Sequence, residues 1–262
     1  MSDTLRHYLD FAIDTAWQAG QLTLGYFQTG IRPDFKADES PVTVADRETE
    51  KFIRTCIEQR FPSHVIVGEE FGGKELLSQS GGPTHRWIVD PIDGTRSFVR
   101  GVPLYAVLIA LEIEGQCQVG VAHFPALGEM IAAATGEGCW WNGRRARVAD
   151  TAHLKNALLA HSDAGNFKNF GRQEAWERLQ AATQYRAGWC DAYGYLLVAT
   201  GRADIMIDPI MNEWDCGPFI PILQEAGGYF GDWQGNPTIY ASEGMATTQN
   251  LLPQVLQTIN GL

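Results

Sequence analysis

Apolar residues recur at helical spacing near the start of the chain. Leu5, Leu9, Ile13, Ala16 and Trp17 fall on one face, which predicts an amphipathic helix over 4–27. A second helix is predicted over 44–61, with Phe52, Ile53, Cys56 and Ile57 on one side and Thr43 placed as its N-cap. The polar loop FKADESPVT lies between them. The pattern then changes to short β runs: VIV at 65–67, WIV at 87–89, YAVLIALEI at 105–113 and QVGVAHF at 118–124, with Glu114-Gly115 as a hairpin turn. Strands are also expected at 129–134 and 139–141, followed by a tight turn at Asn142-Gly143.

A first α+β lobe, 1–150, is thus expected to precede a second α/β lobe, 151–262. In the second, LLAHS and ADIMID read as strands, and helices are predicted over 172–182, over 192–200 with Gly201 closing it, over 215–226 and over 250–260. No repeat, low-complexity tract or long linker separates the lobes. Helices and strands in mixed order predict one compact unit, a layered α+β sandwich.

Charge narrows the function classes. The 262 residues carry 20 Lys and Arg against 31 Asp and Glu, a net charge of -11, so the basic footprint of a nucleic-acid or anionic-membrane binder is missing. The five cysteines are odd in number, far apart and without a CxxC pair, which argues against a disulfide framework or a thiolate zinc site and fits a cytoplasmic protein. Acids interrupt the N-terminal apolar positions, unlike a signal peptide, and the longest apolar run, 105–111, is far short of a membrane span. The six histidines form no metal-spaced cluster.

The chemistry concentrates in WIVDPIDGTRSF, residues 87–98. A strand delivers Asp90 and Asp93, with Pro91 between them, and two carboxylates on such a rigid turn can converge on a hard divalent cation. Gly94 allows close backbone approach to a ligand, and a helical turn starting near Thr95 would point free N–H groups at an anion. An Asx-rich turn ending a strand would look the same. Two other acidic sites change the weighing: Gly68-Glu69-Glu70 ends the strand VIV, and Asp215 begins an apolar helix, where it could also serve as a cap.

These three motifs in the order GEE, DPIDGT and WD, with Lys36, the SPVTVAD loop at 40–46 and EAGG at 225–228, resemble the inositol-monophosphatase-like, magnesium-dependent, lithium-sensitive phosphatases over nearly the whole chain. The resemblance implies a layered α/β/α/β/α sandwich, usually dimeric. It implies that Glu69, Asp90, Asp93 and Asp215, with the backbone carbonyl of Ile92, hold two or three Mg²⁺ ions per active site. Glu69 and Thr95 would position and deprotonate the attacking water, with Asp93 also counted as catalytic, while Gly94 and Thr95 would meet the phosphate. Lys36, Asp46 and Arg186 are accessory candidates; a surface salt bridge is the alternative for Lys36 and Asp46. The physics agrees: carboxylates alone would repel a phosphate dianion, Mg²⁺ reverses the local sign, and oxygen donors suit Mg²⁺ over Zn²⁺.

Residues 188–215, in particular DAYGYLLVATGRAD and DPIMNEWD, resemble the histidinol-phosphate phosphatase branch. Histidinol carries an ammonium and an imidazole, so this branch would want carboxylates where a polyol binder wants neutral partners. Asp191 and Asp208 are the candidates, and Asp191 could equally cap the helix that follows. Cys190 stands where the branch commonly has Gly, and Ala192 where it commonly has Cys. The expected function is hydrolysis of a small phosphate ester, L-histidinol phosphate first, with inositol monophosphate or another sugar or polyol phosphate as the alternative. Intact ligand positions argue against a non-catalytic scaffold. A homodimer with no nucleic-acid or membrane partner is expected.

Overall fold

Helix α1 (Ser2–Tyr26) and helix α2 (Val44–Arg60) lie side by side and bury Leu9, Ala12, Ala16, Ile53 and Ile57. The chain is described here from a computed structural model covering residues 2–37, 39–73 and 85–261; Asp38 of the FKADESPVT loop is outside the described residues. That loop folds as a small antiparallel ribbon, β1 (Asp34–Phe35) with β2 (Pro41–Val42). Thr43 caps α2 as expected: its hydroxyl accepts from Ala45 N at 3.0 Å, while the Asp46 carboxylate reaches back to Thr43 N at 2.8 Å. This reciprocal capping box satisfies donors that a helix start leaves without partners.

Behind the helices stands an eight-stranded sheet of β3 (Val65–Gly68), β4 (Gly72–Gly73), β5 (His85–Asp93), β6 (Ala106–Ile113), β7 (Gln116–Phe124), β8 (Glu129–Ala134), β9 (Gly138–Trp141) and β10 (Arg144–Arg145), in the order β10-β9-β8-β7-β6-β5-β3-β4. Neighbours are antiparallel except β3 and β5, which are parallel. One face packs Trp87, Val89, Val107, Ile109 and Val121 on α1 and α2. The other presents Ile88, Leu108, Ala110 and Ala122 to a central helix layer. Burial on both faces explains why β5 and β6 read as continuous apolar runs rather than as an alternation.

A short helix α3 (Thr95–Val99) leaves the end of β5. The remaining helices are α4 (Ala164–Asn169), α5 (Gln173–Ala182), α6 (Asp191–Ala199), α7 (Glu213–Cys216), α8 (Phe219–Glu225) and α9 (Leu252–Asn260). They enclose a second, five-stranded sheet of β11 (Leu158–His161), β12 (Tyr185–Ala187), β13 (Ile205–Asp208), β14 (Gly228–Gly231) and β15 (Gly244–Thr248), in the order β12-β11-β13-β15-β14. Leu196 of α6 and Phe219, Ile222 and Leu223 of α8 share one core with inward residues of both sheets, including Met206 and Ala246. Phe167, Trp176, Leu179, Val255 and Ile259 close the outer face of the smaller sheet. The layers therefore run α/β/α/β/α, and the central helix layer joins the two sheets through one continuous core.

Several elements differ from the sequence expectation. The helix expected over 215–226 is two short ones, α7 and α8, separated at Gly217-Pro218, where proline lacks the N–H that would continue the ladder. Strand β5 does not stop after WIV but continues through DPID to Asp93, with a register irregularity between Asp90 and Asp93. Helix α4 and strands β12, β14 and β15 are additional. All five cysteines are free, and no helix among the described residues is long and apolar enough to cross a membrane.

Candidate active site

The irregularity in β5 builds the site. Pro91 cannot donate to a ladder, and Ile92 N turns instead to Asp90 Oδ1 at 3.0 Å, so the strand bulges and aims its acids off the sheet. Asp93 follows on the same segment, and its Oδ2 accepts from Ala192 N of α6 at 2.8 Å. Asp215 arrives from α7, where its Oδ2 accepts from Asn212 N at 2.7 Å in a second capping box. Each carboxylate thus has an oxygen fixed by a backbone N–H, and Asp90, Asp93 and Asp215 offer ligand oxygens that all lie within 4.8 Å of one another.

Glu69 joins from the end of β3, with its backbone N–H bonded to Val89 O at 3.2 Å. Lys36 spans Glu69 Oε1 and Glu70 Oε1 at 2.8 Å each, so its partners belong to the site and not to a solvated surface pair. Burial alone would lower the Lys36 ammonium, but its bonds to the two glutamates outweigh this and raise it. Burial pushes Glu70 up to about 7 against the pull of Lys36.

Electrostatics supply the test of metal fit. Burial, followed by the charges of Glu69, Asp93 and Asp215, raises Asp90 well above the carboxylate range. Burial and the charges of Asp191 and Asp215 do the same to Asp93, and burial takes Asp215 up to about 7 despite the Asn212 backbone bond. Oriented oxygens that oppose one another's ionisation are the donor set a hard divalent cation relieves. The Ile92 carbonyl accepts from the Thr95 hydroxyl at 3.0 Å, and its second lone pair suits it to the same cation.

Thr95 opens α3, and Gly94 before it is left-handed at φ 79°. A Cβ on Gly94 would lie 3.0 Å from Leu104 O and 3.2 Å from Asp191 Oδ2, so both the turn and the close approach require glycine. The Thr95 hydroxyl also stands 3.3 Å from Asp46 Oδ1. Asp46 is fully buried, its other oxygen accepts from Thr43 N and from Thr43 Oγ1 at 2.6 Å, and burial raises its carboxyl. Asp46 is therefore a structural anchor of α2 and the partner of Thr95 at once.

The remaining predicted residues divide. Asp191 lines a cleft of about 1010 Å³ together with Phe35, Arg96, Ser97, Ser162 and Trp189, and also a contiguous pocket of about 200 Å³ shared with Asp93, Asp208 and Asp215. Its Oδ2 accepts from Ser97 Oγ at 3.4 Å, and burial raises its carboxyl against that bond and the nearby Arg96. The capping alternative is not met: Cys190 holds the N-cap position of α6, and Asp191, at φ 36°, is already its first helical residue. Asp208 is buried, accepts from Ser162 Oγ and from Tyr195 OH at 3.1 Å, and is pushed up to about 8 by burial. Its oxygens are engaged within the protein, which makes it a wall of the pocket more than a carboxylate held out for a cation. Arg186 does not reach the acids: it is exposed on β12, and its Nη1 donates to Gln184 O at 3.3 Å.

Sequence reasoning missed three supporting groups. Glu50, fully buried on α2 one turn beyond Asp46, accepts from Arg54 Nε and Glu70 N at 2.7 Å each and holds the loop that carries Glu69. An acid on the apolar face shared by Ile53 and Ile57 is the signal that could have found it. Arg86 joins Glu112 at 2.7 Å to Glu213 at 2.8 Å, which ties α7 and Asp215 to the start of β5. Ser97 and Trp189 bracket Asp191, and neither left a local sequence signal.

Comparison with known proteins agrees with this architecture. The chain matches the inositol monophosphatase family over residues 4–261. It is 41% identical to a histidinol-phosphatase from Chlorobaculum parvum over 93% of each chain. It is 35% identical to a histidinol-phosphatase from Mycobacterium tuberculosis over 96% of this chain and 97% of the relative. Among solved structures, an inositol monophosphatase from Anabaena (Nostoc) superposes with a TM-score of 0.86 at 28% identity, covering 99% of this chain and 97% of that one. Family members are metal-dependent, in keeping with the acidic cluster on β5 and α7. From the length of the match and the shared fold, the chain belongs to the inositol monophosphatase family and is a phosphoric monoester hydrolase.

Proposed function

We propose that this enzyme hydrolyses L-histidinol phosphate to L-histidinol and phosphate with Mg²⁺ as its cofactor. The observation that carries the reading is the position of Asp191. Its carboxylate borders the cleft beside the metal-fitting acids, and the neighbouring Ala192 N is bonded to Asp93. A leaving group with an ammonium is what an acid at that place would select. The two histidinol-phosphatase relatives support the same choice.

Asp90, Asp93, Asp215 and Glu69, with the Ile92 carbonyl, would hold the ions. When bound, Mg²⁺ supplies charge neutralisation at the phosphoryl oxygens and a more acidic water. The protein's own groups do the rest. The Thr95 hydroxyl has one hydrogen, directed to Asp46 or to the Ile92 carbonyl, so its lone pairs accept from the attacking water and fix its approach. Glu69 takes a proton from the water as its oxygen bonds to phosphorus, the bond from phosphorus to the ester oxygen breaks on the opposite side, and the departing alkoxide takes a proton from solvent to leave as the alcohol. Lys36 keeps Glu69 aimed at the site through its bond to Oε1. The Asp191 carboxylate holds the ammonium end, which places the departing oxygen toward Asp93 and Asp215.

A homodimer in the cytoplasm is the assembly and compartment that accompany this proposal, and light scattering of the purified protein tests the first. The substrate test is phosphate release from histidinol phosphate, inositol 1-phosphate and glycerol phosphate, each in Mg²⁺ and in EDTA. The reading expects histidinol phosphate to give the highest kcat/KM and EDTA to abolish turnover of all three. Preference for inositol phosphate would transfer the assignment to the polyol alternative. Full turnover in EDTA would remove the metal from the account.

A further inference from the structure

Trp189 sits in a conformation that packing does not explain. It is 52% exposed, so the core gains little from it, yet its backbone is held at φ 65°, a region that bulky residues rarely occupy. Two residues on, Asp191 is also left-handed, at φ 36°. Strain of this kind is costly and persists where the surroundings enforce it. Here Trp189 N donates to Ser162 O at 3.1 Å and Cys190 N to His161 O at 3.2 Å. Gly188 before them lies so close to the His161 ring that a Cβ would stand 2.8 Å from it.

The indole is fixed as firmly as its backbone. Trp189 Nε1 donates to Ser97 Oγ at 2.7 Å, and Ser97 Oγ in turn faces Asp191 Oδ2 at 3.4 Å. One serine thus joins the ring to the carboxylate, and both line the same cleft. With its N–H committed to Ser97, what the indole adds to the lining of the cleft is apolar ring surface. An immobilised aromatic face beside an acid is a receptor for a flat, cationic group: the acid binds charge, and the ring binds the plane by stacking and cation–π attraction.

We propose that Trp189 is a specificity-determining residue whose indole receives the imidazole end of the leaving group while Asp191 takes its ammonium. This rests on histidinol phosphate being the substrate and adds a second recognition element to it. A polyol phosphate presents no π face and gains nothing from the ring.

The test is steady-state kinetics of the Mg²⁺-loaded wild type, Trp189→Phe and Trp189→Ala on histidinol phosphate and on inositol 1-phosphate. Loss of one aromatic stack predicts roughly a tenfold higher KM for histidinol phosphate in Trp189→Ala, with kcat little changed. Trp189→Phe keeps a ring but loses the bond to Ser97 and should recover only part of that loss, and KM for inositol phosphate should change far less than KM for histidinol phosphate in either variant. Far-UV circular dichroism and a Tm close to that of the wild type show that the variants are folded. An equal loss on both esters, or an unchanged KM for histidinol phosphate in Trp189→Ala, would overturn the role of the ring. Absence of histidinol phosphate turnover in wild type would instead overturn the substrate reading, and this inference with it.

Discussion

The hydroxyl of Thr95 stands 3.3 Å from the buried carboxylate of Asp46, a residue that also forms the capping box at the start of α2. The group proposed to orient the nucleophile is therefore braced by the same acid that starts the second helix. Because Asp46 Oδ2 is occupied by Thr43, only Oδ1 is left to Thr95, and the hydroxyl has few alternatives in its orientation.

Thr95→Ala should lower kcat by about 100-fold with little change in KM, as expected for a contact that matters mainly in the transition state. Thr95→Ser keeps the hydroxyl and should restore most of the rate. A change confined to KM would make Thr95 a phosphate-binding residue only.

Metal binding and acidity should be coupled. The Asp215 carboxyl is raised from its ordinary 3.8 to about 7, so without metal the folded state retains a proton that the unfolded state has lost between those values. Stability of the metal-free protein from this group therefore falls as pH rises from about 4 to 7, the opposite of a salt-bridged carboxylate. Mg²⁺ must displace that proton. Thermal unfolding with Mg²⁺ and with EDTA should show a larger Mg²⁺-induced rise in Tm at pH 8 than at pH 5.5. An equal rise at both would mean that the ion binds elsewhere.

Glu50 should act on metal affinity without touching the metal. Removing it by Glu50→Ala takes an acceptor from Arg54, Glu70 N and Phe71 N in a buried setting and should cost about 3 kcal/mol of stability, with a raised Mg²⁺ requirement. Gly68→Ala approaches the same carboxylate from the other side, where a Cβ would collide with it, and overpacking of about 1–3 kcal/mol is expected. Chemical denaturation and Mg²⁺ titration of activity measure both. Variants with wild-type stability and Mg²⁺ dependence would deny Glu50 this role.

The parts of the fold legible in the sequence were those with a local cause. Thr43 announced α2 because an N-cap is a short-range device, and β6 and β7 were visible as apolar runs around Glu114-Gly115. Strand β14 is Gly228-Tyr229-Phe230-Gly231, and its place in the sheet comes from pairing with β15, which no local pattern encodes. Pro91 reads as a stop, yet the strand continues through it because the bulge removes the need for its missing N–H. In the site, carboxylates at element ends stood out by their type and position. Ser97 and Trp189 did not, since their meaning arises only when α3 meets the segment before α6, and the exposed Arg186 illustrates the reverse case, a charged residue whose location no motif specified.

The most direct test of the account is kcat/KM for histidinol phosphate and inositol 1-phosphate in wild type and Asp191→Asn at saturating Mg²⁺. Asparagine keeps the shape of the side chain and removes its charge, exchanging one acceptor oxygen for an NH2 donor. A charge-assisted hydrogen bond of about 1.5–3 kcal/mol corresponds to roughly a 10- to 150-fold fall for histidinol phosphate, with a much smaller change for inositol 1-phosphate, whose leaving group carries no cation. That selective fall, in a wild type that prefers histidinol phosphate, is the predicted result; an equal fall for both esters, or a wild type that prefers inositol phosphate, would contradict it.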